Sequence, residues 1–93
     1  MKCLEIISLR TSGQGERDAR KYMEKICRIV KKYNQAAVEF YSHASIPGDL
    51  ALVIYSEKPE DIQDGTQLCL YVTDLLKQFG LVDYNCWLLE DNK

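Results

Sequence analysis

The apolar residues of this chain change their spacing five times, and this switching between helix-like and strand-like patterns limits the folds that it can adopt. The strongest pattern is a stripe that recurs every three to four residues and predicts an amphipathic helix ending near Asn34: Ala19, Tyr22, Met23, Ile26, Cys27, Val30 and Tyr33. Glu16 and Asp18 lie in the first turn of this helix. Lys31 and Lys32 lie in its last turn, so both ends carry charges that favour the helix dipole.

The first of four strand-like segments, Cys3 to Leu9, is apolar on both faces. Leu4 and Ile6 point to one side, and Ile7 points with Leu9 to the other. A strand of this composition is typical of the centre of a sheet, where both faces are covered.

Three later segments complete the strand pattern. Residues 38–43 alternate between the two faces and predict a half-buried strand. A break at residues 46–49 separates them from the apolar run 50–55, so the two segments predict a β-hairpin. Residues 81–89 predict the last strand before a charged tail.

A second helical stripe lies between the hairpin and the last strand: Leu68, Val72, Leu75, Leu76 and Phe79. Asp64, three residues before Gln67, resembles a capping box and favours a helix start that leaves Gly65 outside the helix interior. Pro59 offers an earlier start as the alternative. Gly80 follows the stripe at the position of a left-handed C-cap.

The order strand, helix, strand, strand, helix, strand predicts an α+β fold of the ferredoxin-like βαββαβ type, with a four-stranded antiparallel sheet and two helices on one face. Right-handed crossovers place the third strand between the first and the second, and the fourth on the other side of the first. The sheet face away from the helices is then expected to be apolar and too large to stay open on a small monomer. We expect this outer face to carry Ile7, Tyr41, His43, Val53, Tyr55 and either Trp87 or its neighbours.

This element order, together with a closing segment from Phe79 to Tyr84 that leads to Trp87, resembles the dimeric α/β-barrel branch of the ferredoxin-like proteins. The resemblance covers nearly the whole chain and lies in topology and pattern. It implies a homodimer in which two sheets face each other across a two-fold axis and enclose a pocket. The branch includes cofactor-free monooxygenases of the antibiotic-biosynthesis type, haem-degrading enzymes and lactone isomerases. The resemblance therefore implies a small apolar or aromatic ligand between the sheets.

Length and charge exclude several other classes of protein. The 93 residues predict one domain over residues 1–93. A net charge of −2 argues against a nucleic acid or an anionic membrane as the partner. The sequence has neither an apolar run near the ~18 residues of a membrane span nor a secretory pattern at its start, so we expect a cytoplasmic location.

The four cysteines, Cys3, Cys27, Cys69 and Cys86, have mainly apolar neighbours and no C-x-x-C spacing. We expect them to be buried, reduced thiols rather than metal ligands. The sequence indicates no metal site and no cofactor.

His43 is the single histidine and the candidate catalytic residue, as an acid, a base or a haem ligand. The expected ligand-binding residues around it are Tyr41, Tyr55, Trp87, Ile7 and Val53. The other interpretation of His43 is a surface histidine near the turn of an edge strand. The two functions that follow are a monooxygenase-like or isomerase-like enzyme and, as the alternative, a non-catalytic module for ligand sensing or protein assembly.

Charge is distributed unevenly along the chain. Residues 14–35 hold seven basic and three acidic groups and carry +4, whereas the remainder carries −6. The basic groups either form the solvated back of the first helix or attract an acidic partner or the acidic surface of another subunit.

Overall fold

The computed structural model describes residues 2–11, 13–34, 37–56 and 67–90. Its elements are β1 (Cys3–Thr11), α1 (Glu16–Asn34), β2 (Ala37–Ser42), β3 (Asp49–Ser56), α2 (Gln67–Leu76) and β4 (Gly80–Leu88), with short 3-10 turns at Gly13–Gly15 and Lys77–Phe79. The strands form one antiparallel sheet in the order β2-β3-β1-β4. The predicted ferredoxin-like α+β fold and the predicted strand order are both confirmed.

The core lies between the helices and one face of the sheet, because each helix buries one apolar stripe and each strand contributes alternate residues. From α1 and α2 it receives Ala19, Met23, Ile26, Cys27, Val30, Cys69, Val72 and Leu76, and from the strands Ile7, Leu9, Val38, Leu50, Leu52 and Ile54. At about 25 cal/mol for each Å² of apolar area, this burial is the main stabilising contribution to the fold. It also leaves the opposite sheet face, which we call the outer face, uncovered by the helices.

The expectation that Ile7 lies on the outer face is wrong. Ile7 has no exposed surface and belongs to the core, and Leu4 and Ile6 point outward instead. Since β1 is apolar on both sides, its alternation does not show which side meets the helices. Glu5 increases the ambiguity, because this carboxylate lies fully buried on the Ile7 side and accepts a hydrogen bond of 2.5 Å from the Tyr84 hydroxyl. Burial, together with this bond, raises the pKa of Tyr84 well above its ordinary value.

Gly80 is not the left-handed helix cap that the sequence predicts. It follows the second 3-10 turn as the first residue of β4, with φ 157°. A Cβ atom at this position would collide with the main-chain carbonyl of Arg10 on the neighbouring strand, so the close approach of two backbones requires glycine here. The predicted capping box at Asp64 and the alternative start at Pro59 lie outside the described residues.

The four cysteines are free thiols in the structure. Cys3, Cys27 and Cys69 are buried, and Cys86 is half-buried on β4. Burial, followed by the nearby Glu5 carboxylate, raises the pKa of the Cys86 thiol. This direction disfavours the thiolate, so the environment of Cys86 does not favour nucleophilic chemistry.

Candidate functional site

The outer face is organised in rungs, each with one residue from every strand, because paired residues of an antiparallel sheet point to the same side. The first rung, in the order of the strands, consists of Tyr41, Ala51, Ser8 and Asp83. The second rung, next to the β2–β3 connection, consists of His43, Asp49, Arg10 and Leu81. These two rungs line an open groove of about 510 Å³, which we call the sheet groove.

Small side chains on the central strands create the sheet groove. Ala51 on β3 and Ser8 on β1 are paired at the middle of the first rung and form its floor. Tyr41 on one edge strand and Leu81 on the other are exposed and form walls. A ligand in the groove would therefore contact apolar surface on both sides.

Arg10 and Asp49 place a charge pair in the second rung. The guanidinium donates two hydrogen bonds to the carboxylate, Nε to Oδ1 at 3.1 Å and a terminal nitrogen to Oδ2 at 3.2 Å. These bonds, and the attraction of the two charges, raise the pKa of Arg10. Because the Arg10 side chain is 66% exposed, the pair contributes little to stability. Its consequence is an exposed guanidinium, paired with Asp49, in the lining of the groove.

His43 lies just after β2, and its backbone N–H donates to the Asp49 carbonyl at 2.8 Å. Its ring Nδ1 accepts hydrogen bonds from the backbone N–H groups of Ser45 and Ile46, both at 3.0 Å. A neutral ring that accepts at Nδ1 carries its proton on Nε2. His43 can then donate a hydrogen bond to a ligand in the groove. This arrangement does not fit a haem ligand, because Nε2 has no lone pair for the iron while Nδ1 keeps these bonds.

Two tyrosines of the outer face share one carboxylate. Tyr41 donates a hydrogen bond of 2.8 Å to Glu39, and this bond raises the pKa of Tyr41. Burial, followed by the charge of Glu39, raises the pKa of Tyr55. Both phenols therefore stay protonated at neutral pH and can act as hydrogen-bond donors or stacking surfaces, but not as bases.

The structure brings only part of the predicted site into the sheet groove. His43 and Tyr41 line it, whereas Val53, Tyr55 and Trp87 lie on the same face in the rungs farther from the hairpin connection. We call this second region the apolar end: Leu4, Ile6, Val53, Tyr55 and Trp87. Trp87 is 60% and Tyr55 44% exposed. Ile7, in the core, reaches neither region.

Several groove residues were not predicted: Arg10, Asp49, Ser8, Leu81 and Asp83. The exposed Asp83 carboxylate accepts a hydrogen bond of 3.1 Å from Asn85 and is the one groove carboxylate among the described residues without a cation partner. It can take a proton from a ligand. The β2 and β4 ends of the groove are three strand spacings apart, about 14 Å, so a ligand that meets both His43 and Asp83 must have the width of several fused rings.

The described residues contain neither a cluster of metal-binding side chains nor a helix that could span a membrane. No three of the side chains His, Cys, Asp or Glu in these residues come together as a metal site would require. No helix in them combines the length and hydropathy needed to cross a membrane.

Comparisons with known proteins relate this geometry to a known architecture. No family model matches the sequence, and no curated protein matches it. Among solved structures, Rv0793 from Mycobacterium tuberculosis matches with a TM-score of 0.75 and 11% identity over 99% of this chain and 98% of that one. SnoaB, a cofactor-independent oxygenase from Streptomyces nogalater, matches with a TM-score of 0.72 and 3% identity over 98% and 95%. A candidate antibiotic biosynthesis monooxygenase from Deinococcus radiodurans matches with a TM-score of 0.70 and 9% identity over the same shares. The chain therefore has the ferredoxin-like βαββαβ fold of these antibiotic biosynthesis monooxygenase structures, which matches the fold that its sequence pattern resembles.

Proposed function

We propose that this protein is a homodimer in which the outer sheet faces of two copies meet, and that the sheet groove binds a small apolar or aromatic ligand. We further propose that the ligand undergoes cofactor-free, monooxygenase-like oxidation there. The observation that carries the proposal is the groove itself, which has apolar walls and a few convergent polar groups, as ligand sites usually do. The architecture shared with SnoaB supports the reaction class.

The apolar end of the outer face supports the homodimer. Tyr55 and Trp87 expose 44% and 60% of their surface beside the partly exposed Leu4 and Ile6. A contiguous apolar patch of this kind on a small protein marks an interaction surface. A second copy of the same face, packed about 10 Å away as sheets pack, would cover it and close the adjoining groove.

The groove residues suit the first step of such an oxidation. Without a cofactor, the ligand itself must supply electrons to O2, and loss of a proton from the ligand makes this easier. In this proposal Asp83 takes that proton. His43, through Nε2–H, and Arg10 stabilise the oxyanion that forms. One oxygen atom of O2 then enters the ligand, and the other leaves as water with two ligand hydrogens.

A variant that fills the groove tests binding and chemistry together. Ala51→Trp places a large side chain on the groove floor, whereas Leu70→Trp adds the same ring to an exposed position of α2 and serves as the control. The binding probe is 1-anilinonaphthalene-8-sulfonate, and the oxidisable probe is the fused three-ring ketone anthrone, whose acidic CH2 group and carbonyl oxygen lie on opposite sides of the central ring. We expect fluorescence enhancement and O2 uptake to be lost in Ala51→Trp and kept in Leu70→Trp.

The outcomes separate the two functions. Light scattering at micromolar concentration should give a dimer, and a stable monomer would contradict the facing-sheet arrangement. A dimer that binds the fluorescent probe but never consumes O2 would favour the non-catalytic sensing module. A dimer whose outer faces leave no void would exclude the enzyme.

A further inference from the structure

The solvent face of α1 carries a continuous row of cations. Arg17, Lys21, Lys25, Arg28 and Lys32 follow at steps of four, four, three and four residues, and all five are exposed. At 100° for each residue they fall within an arc of about 80° and extend over about 22 Å of the helix. Asp18 and Glu24 project at the borders of this arc, not inside it. We call this row the basic stripe.

Within the part of the chain that the structure describes, four of the five stripe cations form no ion pair with an acidic side chain. Three ion pairs of the described residues use cations outside the stripe: Arg10–Asp49, Arg20–Glu16 and Lys77–Asp74. None of these pairs involves Arg17, Lys21, Lys25 or Arg28. The segment containing α1 carries +4 in a protein whose net charge is −2, so the positive field is local to this helix.

A small groove lies beside the stripe, between α1 and β2. Phe40 and Cys27 give it an apolar floor, Arg28 and Lys31 border it together with Glu24, and its volume is about 240 Å³. This helix groove has room for one or two apolar side chains. Because the helix groove lies beside the basic stripe, a partner could contact apolar surface and cations at the same place.

We propose that the basic stripe docks an acidic segment of another protein, and that an apolar side chain of that segment enters the helix groove. The length of the basic stripe matches about four turns of a partner helix or six to seven residues of an extended partner segment. The helix groove favours a polypeptide, because neither a nucleic-acid backbone nor a lipid headgroup offers such a side chain. The −6 carried by the rest of the chain repels a large polyanion, whereas a short segment meets only the stripe. Because α1 lies on the layer opposite the outer face, this docking is independent of the sheet groove.

Peptide binding tests this proposal directly. The probe is a fluorescein-labelled peptide of about fifteen residues, rich in Asp and Glu with one central Leu, and binding is followed by anisotropy at about 0.1 M salt. We expect Lys21→Glu with Lys25→Glu to weaken binding at least about tenfold. The matched control, Lys2→Glu with Lys77→Glu, makes the same change in net charge away from α1 and should change affinity less than about twofold. Replacing the peptide's Leu by Ser should weaken binding several-fold.

Three results would overturn the proposal. The first is no binding of the peptide by the wild-type protein. The second is an equal loss in both double variants, which would show that only net charge matters. The third is tighter binding of a DNA duplex or of phosphatidylserine vesicles at the same salt concentration. Circular dichroism of both variants confirms that α1 is still folded.

Discussion

Trp87→Ala is the most direct perturbation of the proposed dimer, because Trp87 is the most exposed large side chain of the apolar end. It is 60% exposed in the single chain. A tryptophan side chain presents on the order of 200 Å², so about 120 Å² of Trp87 remains for a partner to cover. The substitution removes nearly all of this area without touching the core.

The expected effect follows from this area. At about 25 cal/mol for each Å², covering it contributes about 3 kcal/mol in each protomer and about 6 kcal/mol in the dimer. Because buried area overstates the free energy of association, we take about half of this value. A loss of about 3 kcal/mol raises the dimer dissociation constant more than about 100-fold.

Sedimentation equilibrium over a concentration series measures this constant, and Tyr71→Ala provides the control. Tyr71 is 65% exposed on α2, in the helix layer, so its removal deletes a similar aromatic area from the other side of the molecule. We expect its dissociation constant to stay within about twofold of wild type. An unchanged constant in Trp87→Ala, or equal weakening in the two variants, would refute the assignment of the interface to the apolar end.

Substitutions at Tyr84, Gly80 and His43 test three further features of the molecule. The pKa of Tyr84 is raised in the folded state, so below pH 10 its proton is bound in both states, and above pH 10 only the unfolded chain loses it. Above pH 10 the free energy of unfolding of the wild-type protein then falls by up to about 1.4 kcal/mol for each pH unit. Urea titrations at several pH values should show that Tyr84→Phe lacks this contribution to the fall. Gly80→Ala should lower the free energy of unfolding by more than about 2 kcal/mol, because the new Cβ would collide with the Arg10 carbonyl. In the control, Gly15→Ala, the new Cβ makes only ordinary contacts, so we expect a loss of less than about 1 kcal/mol. Thermal unfolding measures both values. His43→Asn keeps an acceptor for the loop amides but loses Nε2–H, so we expect wild-type stability and no O2 uptake. His43→Ala removes the acceptor as well, so we expect it to lose O2 uptake and to lower the free energy of unfolding by about 1 kcal/mol. Wild-type O2 uptake in His43→Asn would remove the donor from the mechanism.

The parts of the fold that the sequence predicted are those determined by local periodicity. The apolar stripe of α1 predicted that the helix ends near Asn34, and it does. A helix that buries one face must repeat its apolar residues every three to four positions. The strand order followed from the handedness of the two crossovers and from the apolar faces of the first and third strands. These inferences need only the chain direction and the spacing of residues.

The site was harder to predict because it depends on register. A shift of one residue moves every side chain of a strand to the other face, and Ile7 was misplaced in this way. The position of Trp87 could not be fixed without the pairing of β4 with β1. Likewise, nothing in the sequence places Arg10 opposite Asp49, although the two are paired across β1 and β3. The groove floor, formed by two small residues 43 positions apart in the chain, is a product of this same register.

The proximity of the sheet groove to the apolar end has a thermodynamic consequence for the proposed function. If a partner closes the groove, a ligand bound there contacts both copies and prefers the dimer to the monomer. Linkage then requires that the ligand strengthens dimerisation by the same factor by which dimerisation strengthens ligand binding. A saturating fluorescent probe should therefore lower the dimer dissociation constant of the wild-type protein and leave that of Ala51→Trp unchanged. A probe that binds monomer and dimer equally would place its site outside the closed groove, and the chemistry proposed for His43 and Asp83 would then lack the water-excluded setting in which their charges act most strongly.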